Sequence, residues 1–259
     1  PFNTTGFLGD KNTVNGKIQP YFEVKRRKYR FRILNGGPSR FVSIVLRHKG
    51  TNKPFHKIAD NGNFLETPLM NLTRHEIWVA ERFDFIIDFS QFKDGDNVYL
   101  SNTMAHTDGA GPDRGIVLNP DAVENQLLQF QVRDSRPVVS DPSRIPAAFR
   151  PFPPVNLADV VQTRVFKFER VNGGWAVNGK FWDPQQDHTL AELINPSIQI
   201  RCNTAEKWVL VNESGGWEHP MHIHFEEGHV VTINGKKPAV RPRQDVYRRL
   251  SLLRGVVPV

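Results

Sequence analysis

A chain of 259 residues is long enough for two ordinary domains, and its apolar content can furnish a core for each, which excludes a disordered polypeptide. Eighteen phenylalanines, nineteen prolines and nineteen glycines, with few helical periodicities, favour short strands joined by turns and hence an all-β chain. The formal charge of +7 is spread along the sequence, no apolar run is long enough to span a bilayer, and a single cysteine excludes an internal disulfide framework.

In chain order, Val14-Asn15-Gly16-Lys17 comes first, Asn-Gly being the strongest short hairpin signal. In Lys28-Tyr29-Arg30-Phe31-Arg32-Ile33 bases alternate with apolar residues, the pattern of a half-buried strand with Tyr29, Phe31 and Ile33 inward. The densest basic run, Lys25-Arg26-Arg27-Lys28, leads into this strand, and a second spans Arg241 to Arg249. Solvated strand faces explain both, so no nucleic-acid partner is expected. Leu34-Asn35-Gly36-Gly37-Pro38-Ser39-Arg40 is a turn by composition, and Phe41 to Arg47 is the next predicted strand. Phe83, Phe85, Ile87 and Phe89 alternate with Asp84 and Asp88 in another, and Val98 to Asn102 and Leu127 to Val132 complete a sandwich over residues 1–133.

Residues 134–158 are proline-rich and aperiodic, which predicts a semi-rigid linker. Strands resume in residues 159–259, where Val177-Asn178-Gly179-Lys180 repeats the four letters of Val14 to Lys17. Arg27-Lys28-Tyr29 and Leu34-Asn35-Gly36-Gly37, followed by a strand at Phe41, have a counterpart in Glu206-Lys207-Trp208 and Val211-Asn212 with Gly215-Gly216. Two copies of one domain account for this order. Ser39 to Ser43 in the first copy then stands where the second carries histidines, so the first copy has the fold without ligands. In Ile198-Gln199-Ile200-Arg201-Cys202 the cysteine is in phase with two isoleucines, which predicts a buried, structural thiol. Sequons at Asn3, Asn71 and Asn212 permit glycosylation.

The most informative stretch is Gly215-Gly216-Trp217-Glu218-His219-Pro220-Met221-His222-Ile223-His224-Phe225, which holds three of the nine histidines. In a strand from Met221, side chains alternate, so His222 and His224 share one face, about 7 Å apart at Cα, while Ile223 and Phe225 face the core. Imidazole suits copper, iron, nickel and zinc alike, so spacing names no metal. Because the pair looks away from its own core, further ligands must come from another domain or chain. His48, His56, His75, His106 and His188 occur singly and read as solvated or locally hydrogen-bonded, while His229 is out of phase with His224. Glu226 and Glu227 read as exposed turn carboxylates, support of the site being the alternative.

The stretch resembles the first C-terminal copper motif of the multicopper oxidases, and the likeness to the laccase, bilirubin-oxidase and spore-coat-laccase branch extends over nearly the whole chain. Gly9-Asp10, Val14-Asn15-Gly16, Arg27 to Asn35 and Ser39-Arg40 look like the start of that family's second domain. The resemblance implies cupredoxin-like Greek-key β-sandwiches, here a second domain without copper ligands and an incomplete third. By the same resemblance His219 matches the type 1 copper ligand, His222 the type 2 ligand and His224 a type 3 ligand of the trinuclear cluster. It implies a secreted or periplasmic oxidoreductase that takes single electrons from phenols, bilirubin-like pigments or metal ions and reduces dioxygen to water. The family's two H-x-H pairs from a first domain and its final His-Cys-His are missing from these residues. They are expected from the same or another chain, as partners without which this one does not turn over.

Chemistry leaves two alternatives. A cupredoxin-like subunit would use the strand only to hold a metal or meet a partner. A cupin-type mononuclear site would start from Gly216 and His222-x-His224, but its glutamate four or five residues after the second histidine is replaced by Gly228 and His229.

Overall fold

The computed structural model describes residues 6–135, 141–152, 156–181, 198–224, 227–238, 243–248 and 253–258. Asn3, His188, Phe225, Glu226, Arg241 and Arg249, singled out in the sequence, lie outside the described residues. The chain forms two compact units, Pro1–Pro151 and Phe152–Val259.

The first unit opens with a hairpin of β1 (Thr13–Val14) and β2 (Lys17–Ile18). Asn15 and Gly16 both take positive φ, 50° and 77°, as a two-residue turn matching strand twist requires. Next come β3 (Tyr21–Val24), β4 (Lys28–Leu34), β5 (Val42–His48), β6 (Thr51–Lys53), β7 (Phe55–Asp60) and β8 (Asn63–Leu72). After them run β9 (His75–Ile77), β10 (Arg82–Asp88), β11 (Asn97–Asn102) and β12 (Gln126–Val132). One sheet has the order β4-β10-β7-β8; the other runs β3-β12-β11-β5-β6, with β9 also on β5.

The alternation read from sequence holds: in β10, Phe83, Phe85 and Ile87 are buried while the intervening residues are half-buried. They join Tyr29, Phe31 and Ile33 of β4 and Val98, Phe130 and Val132 of the facing sheet in one core. Complete burial of each such side chain contributes about 1.5–3 kcal/mol. Phe89 departs from the predicted strand. It begins a 3-10 turn, Phe89–Gln91, whose cap is Asp88 accepting from Ser90 N at 2.9 Å, yet Phe89 remains fully buried. The outward bases of β4 find partners across the strand pair: Arg30 Nε donates to Asp84 Oδ2 at 2.8 Å. Within the predicted linker, Lys28 N donates to Asp141 Oδ2 at 2.9 Å, and the Phe149 ring stacks on Phe64 at 4.8 Å, so residues 141–151 lie against the first sandwich.

The second unit contains β13 (Val160–Val171), β14 (Gly174–Val177), β15 (Lys180–Phe181), β16 (Ala205–Glu213), β17 (Met221–His222), β18 (Gly228–Ile233), β19 (Arg243–Gln244), β20 (Val246–Tyr247) and β21 (Leu253–Pro258). Seven strands make one sheet, β15-β14-β13-β16-β21-β18-β19, and β17 pairs with β20. Asn178 and Gly179 turn β14 into β15 with φ of 51° and 73°, the same turn as its four-letter twin at residues 14–17.

The internal duplication is visible in the strand pairing. β4-β10-β7-β8 in the first unit corresponds strand by strand, in chain order, to β16-β21-β18-β19 in the second, and the β5–β9 pair corresponds to β17–β20. The correspondence extends to one side chain. Asn35 Oδ1 accepts from Gly37 N at 3.1 Å and its Nδ2 donates to Arg40 O at 2.8 Å. Asn212 Oδ1 accepts from Ser214 N at 3.0 Å and its Nδ2 donates to Trp217 O. In each copy the partners sit two and five residues downstream.

The expectation for Cys202 is overturned. Residues 198–201 form no strand, and Cys202 stands exposed in a turn with Asn203 at φ 59° and Thr204 Oγ1 donating to Arg201 O at 2.6 Å. Alternation assigns faces only where a strand exists, and here the turn that launches β16 has taken its place.

Candidate metal centre

The three histidines occupy two different settings. His219 lies in the loop that leaves β16, where Gly215 and Gly216 adopt φ of 70° and 102°, a reversal that side chains with a Cβ resist. Its half-buried ring packs against two aromatics: Trp175 meets it edge-on at 5.1 Å, and Phe168 lies nearly parallel at 6.1 Å. Trp217 packs edge-on against Trp175 at 5.0 Å, with the Arg170 guanidinium over both indoles. Burial pushes the His219 pKa below the ordinary histidine value, which favours the neutral imidazole that a metal requires. Its Nε2 lies 2.9 Å from Ser214 Oγ, and its Nδ1 has no hydrogen-bond partner among the described residues.

His222 and His224 follow on an extended segment. Met221 and Ile223 pack against the core made by Phe166, Leu210, Val230 and Tyr247, while His222 and His224 are exposed on the other face, as period-2 alternation predicts. The two imidazole rings lie 4.8 Å apart, tilted by 55°. β17 is fixed by β20 through Met221↔Tyr247 and His222↔Val246. Between them the Asp245 carbonyl accepts from Ile223 N at 2.9 Å and lies 3.1 Å from His222 Nδ1. A ring nitrogen held by a backbone carbonyl is the usual second partner of a metal-bound histidine, and it turns Nε2 outward.

These donors fit a transition metal, with His219 offering Nδ1 and His222 offering Nε2. Among the described residues, however, no group of three or more His, Cys, Asp and Glu side chains could hold a metal ion by itself. Glu227 lies 3.3 Å from Arg243 Nε in an ion pair. The scattered histidines are locally engaged: His48 with Asp96 at 3.2 Å, His56 Nδ1 accepting from Asn71 N at 3.0 Å, His75 edge-on to Phe83 at 4.5 Å, His106 against Phe41 and His229 against Phe152. Sequence reasoning passed over Ser214, Asp245, Phe168 and the structural use of Asn212. The recurring Asn35 and Asn212 turns were the signal for the last.

A family model described as multicopper oxidase matches residues 159–255, the part of the chain with all three histidines. Bilirubin oxidase of Albifimbria verrucaria is 33% identical over 232 residues, 87% of this chain and 37% of the relative. Laccase of Bacillus subtilis (strain 168) is 30% identical over 231 residues, 87% of this chain and 40% of the relative. The chain thus spans about two fifths of the length of these curated relatives. Among solved structures, the McoA multicopper oxidase of the hyperthermophile Aquifex aeolicus is 25% identical with a TM-score of 0.78, over 100% of this chain and 54% of that one. The multicopper oxidase CueO of Ochrobactrum sp., 22% identical with a TM-score of 0.75 over 98% of this chain and 54% of that one, shares the cupredoxin-like fold. With strand order, histidine strand and relatives in agreement, the chain belongs to the multicopper oxidase family.

Proposed function

We propose that this chain supplies the second cupredoxin domain and most of the third to a secreted or periplasmic copper oxidase. The complete enzyme couples one-electron oxidation of phenolic, bilirubin-like or metal-ion reductants to four-electron reduction of dioxygen to water. In this reading His219 holds the type 1 copper, His222 the type 2 copper and His224 a type 3 copper. Bound copper supplies the one-electron redox chemistry that these side chains lack.

The observation that carries the reading is the split between a half-buried imidazole packed on aromatics and an exposed pair. Phe168 and Trp175 pack against the half-buried ring of His219, which suits a site that exchanges electrons with little rearrangement. The Asp245 carbonyl fixes the ring of His222 and directs Nε2 away from the core. The remaining ligands come from an N-terminal cupredoxin domain and a His-Cys-His segment outside these 259 residues, in the same or another chain. Because type 1 copper needs a thiolate and Cys202, the chain's one cysteine, stands exposed in the turn before β16, the chain alone is expected to be inactive.

The test exchanges each histidine for glutamine in the complete enzyme and reads copper content, visible absorption and electron paramagnetic resonance. His219→Gln should abolish the intense blue band, and His222→Gln or His224→Gln should lose cluster copper while keeping it. A blue band surviving His219→Gln, or appearing when copper is added to this chain alone, would overturn the assignment.

A further inference from the structure

We infer that Ser214, held by Asn212, is a positioning residue: its hydroxyl accepts the Nε2–H of His219 and so leaves the Nδ1 lone pair as that imidazole's donor to a metal. The metal-facing half of this statement rests on the reading of His219 as a copper ligand; the proton assignment stands without it.

The argument is a count of donors and acceptors. Asn212 has a fixed amide orientation, because its Oδ1 receives the Ser214 backbone N–H at 3.0 Å, which only an acceptor can do, and its Nδ2 faces the Trp217 carbonyl, which only a donor can do. Ser214 Oγ then meets two oxygens that cannot donate, Asn212 Oδ1 and, at 3.2 Å, Trp217 O. The single hydroxyl proton must go to one of them. Its lone pairs therefore face His219 Nε2 at 2.9 Å, and that nitrogen must carry the proton. A neutral imidazole with its proton on Nε2 has its lone pair on Nδ1, the atom with no hydrogen bond among the described residues.

The duplicated domain supplies an internal control. In the first copy Asn35 makes the same two hydrogen bonds, to Gly37 N and Arg40 O, but the residue two positions on is glycine, and Val42 stands at the offset that His219 has from Asn212. The turn therefore forms without a hydroxyl. The copy with Ser214 is the copy with His219, and Ser214 is 4% exposed, so its hydroxyl serves the imidazole rather than solvent.

The experiment uses the 15N-labelled, metal-free chain and long-range proton–nitrogen correlation of the imidazoles, with His219→Gln identifying the His219 signals. The wild type should show one tautomer, Nε2–H, with an observable Nε2–H proton. Ser214→Ala should lose that proton to solvent exchange, at least about tenfold faster, and Ser214→Thr, which keeps the hydroxyl, should retain it. A wild-type Nδ1–H tautomer overturns the inference whether or not the variants fold, as does a Ser214→Ala spectrum unchanged at His219. In the copper-loaded holoenzyme, Ser214→Ala should shift the type 1 reduction potential; an unchanged potential overturns the positioning role. If His219→Gln leaves the type 1 signals intact, the ligand reading fails while the tautomer result still decides the proton assignment.

Discussion

Arg164→Met tests what holds the second unit in the shape that delivers the histidine loop. Glu206, 1% exposed near the start of β16, accepts from Arg164 Nε at 2.6 Å and Nη2 at 2.9 Å, and from Trp208 Nε1 at 2.9 Å. The hydrogen bonds from Arg164 hold the Glu206 carboxyl below the ordinary carboxylate range, against burial, which raises it. Methionine keeps much of the side chain's length and removes the charge, leaving a buried carboxylate with the indole N–H. Breaking one half of a buried pair costs about 3–5 kcal/mol, and the 18% exposure of the Arg164 side chain places this case near the lower figure. The pH dependence has a definite sign. In the wild type the folded pKa lies below the unfolded value of about 4.3, so the pair's contribution is complete above that value and is lost as pH falls through the folded pKa. In the variant the buried carboxyl titrates upward instead, so the gap between the two proteins narrows on acidification. Urea unfolding followed by tryptophan fluorescence, at neutral pH and near the unfolded carboxylate pKa, measures both. A loss under about 1 kcal/mol at neutral pH, or a gap that does not shrink with acid, would refute the reasoning, since either outcome means Glu206 is as well solvated as a surface carboxylate.

Two further outcomes follow from single side chains. Cys202, exposed in its turn, should react stoichiometrically with a thiol reagent in the folded chain, and a requirement for denaturant would contradict its placement. Asn212 fits a sequon, but its amide nitrogen donates to Trp217 O within a half-buried turn, so the chain made in a glycosylating host should carry no glycan there by peptide mass mapping; a modified Asn212 would mean that the turn opens.

The features legible in the sequence were those with a strict local cause. The inward set of β4 and β10 follows from period-2 patterning, both Asn-Gly hairpins from the positive φ that those residues tolerate, and the shared face of His222 and His224 from the pleat. Cys202 was misplaced because patterning says which face a residue takes and not whether a strand exists; Asn203, at φ 59°, ends the pattern in a turn. The supporting groups were hidden for a different reason. Asp245 acts on His222 through its backbone carbonyl, which every residue possesses, and Phe168 and Trp175 reach His219 from strands far away in sequence. Asn212 was visible twice over, as a sequon and as the twin of Asn35, and only the second property describes its physical role. That distinction bears on how the metal centre is built. If one asparagine turn can close on Gly37 in the copy without the histidine strand and on Ser214 in the copy with it, the duplicated backbone provides the scaffold for either outcome. On the proposed reading, the difference between a structural domain and a metal-holding one then resides in a few side chains added to that turn: the serine hydroxyl, the packed aromatics and the three imidazoles.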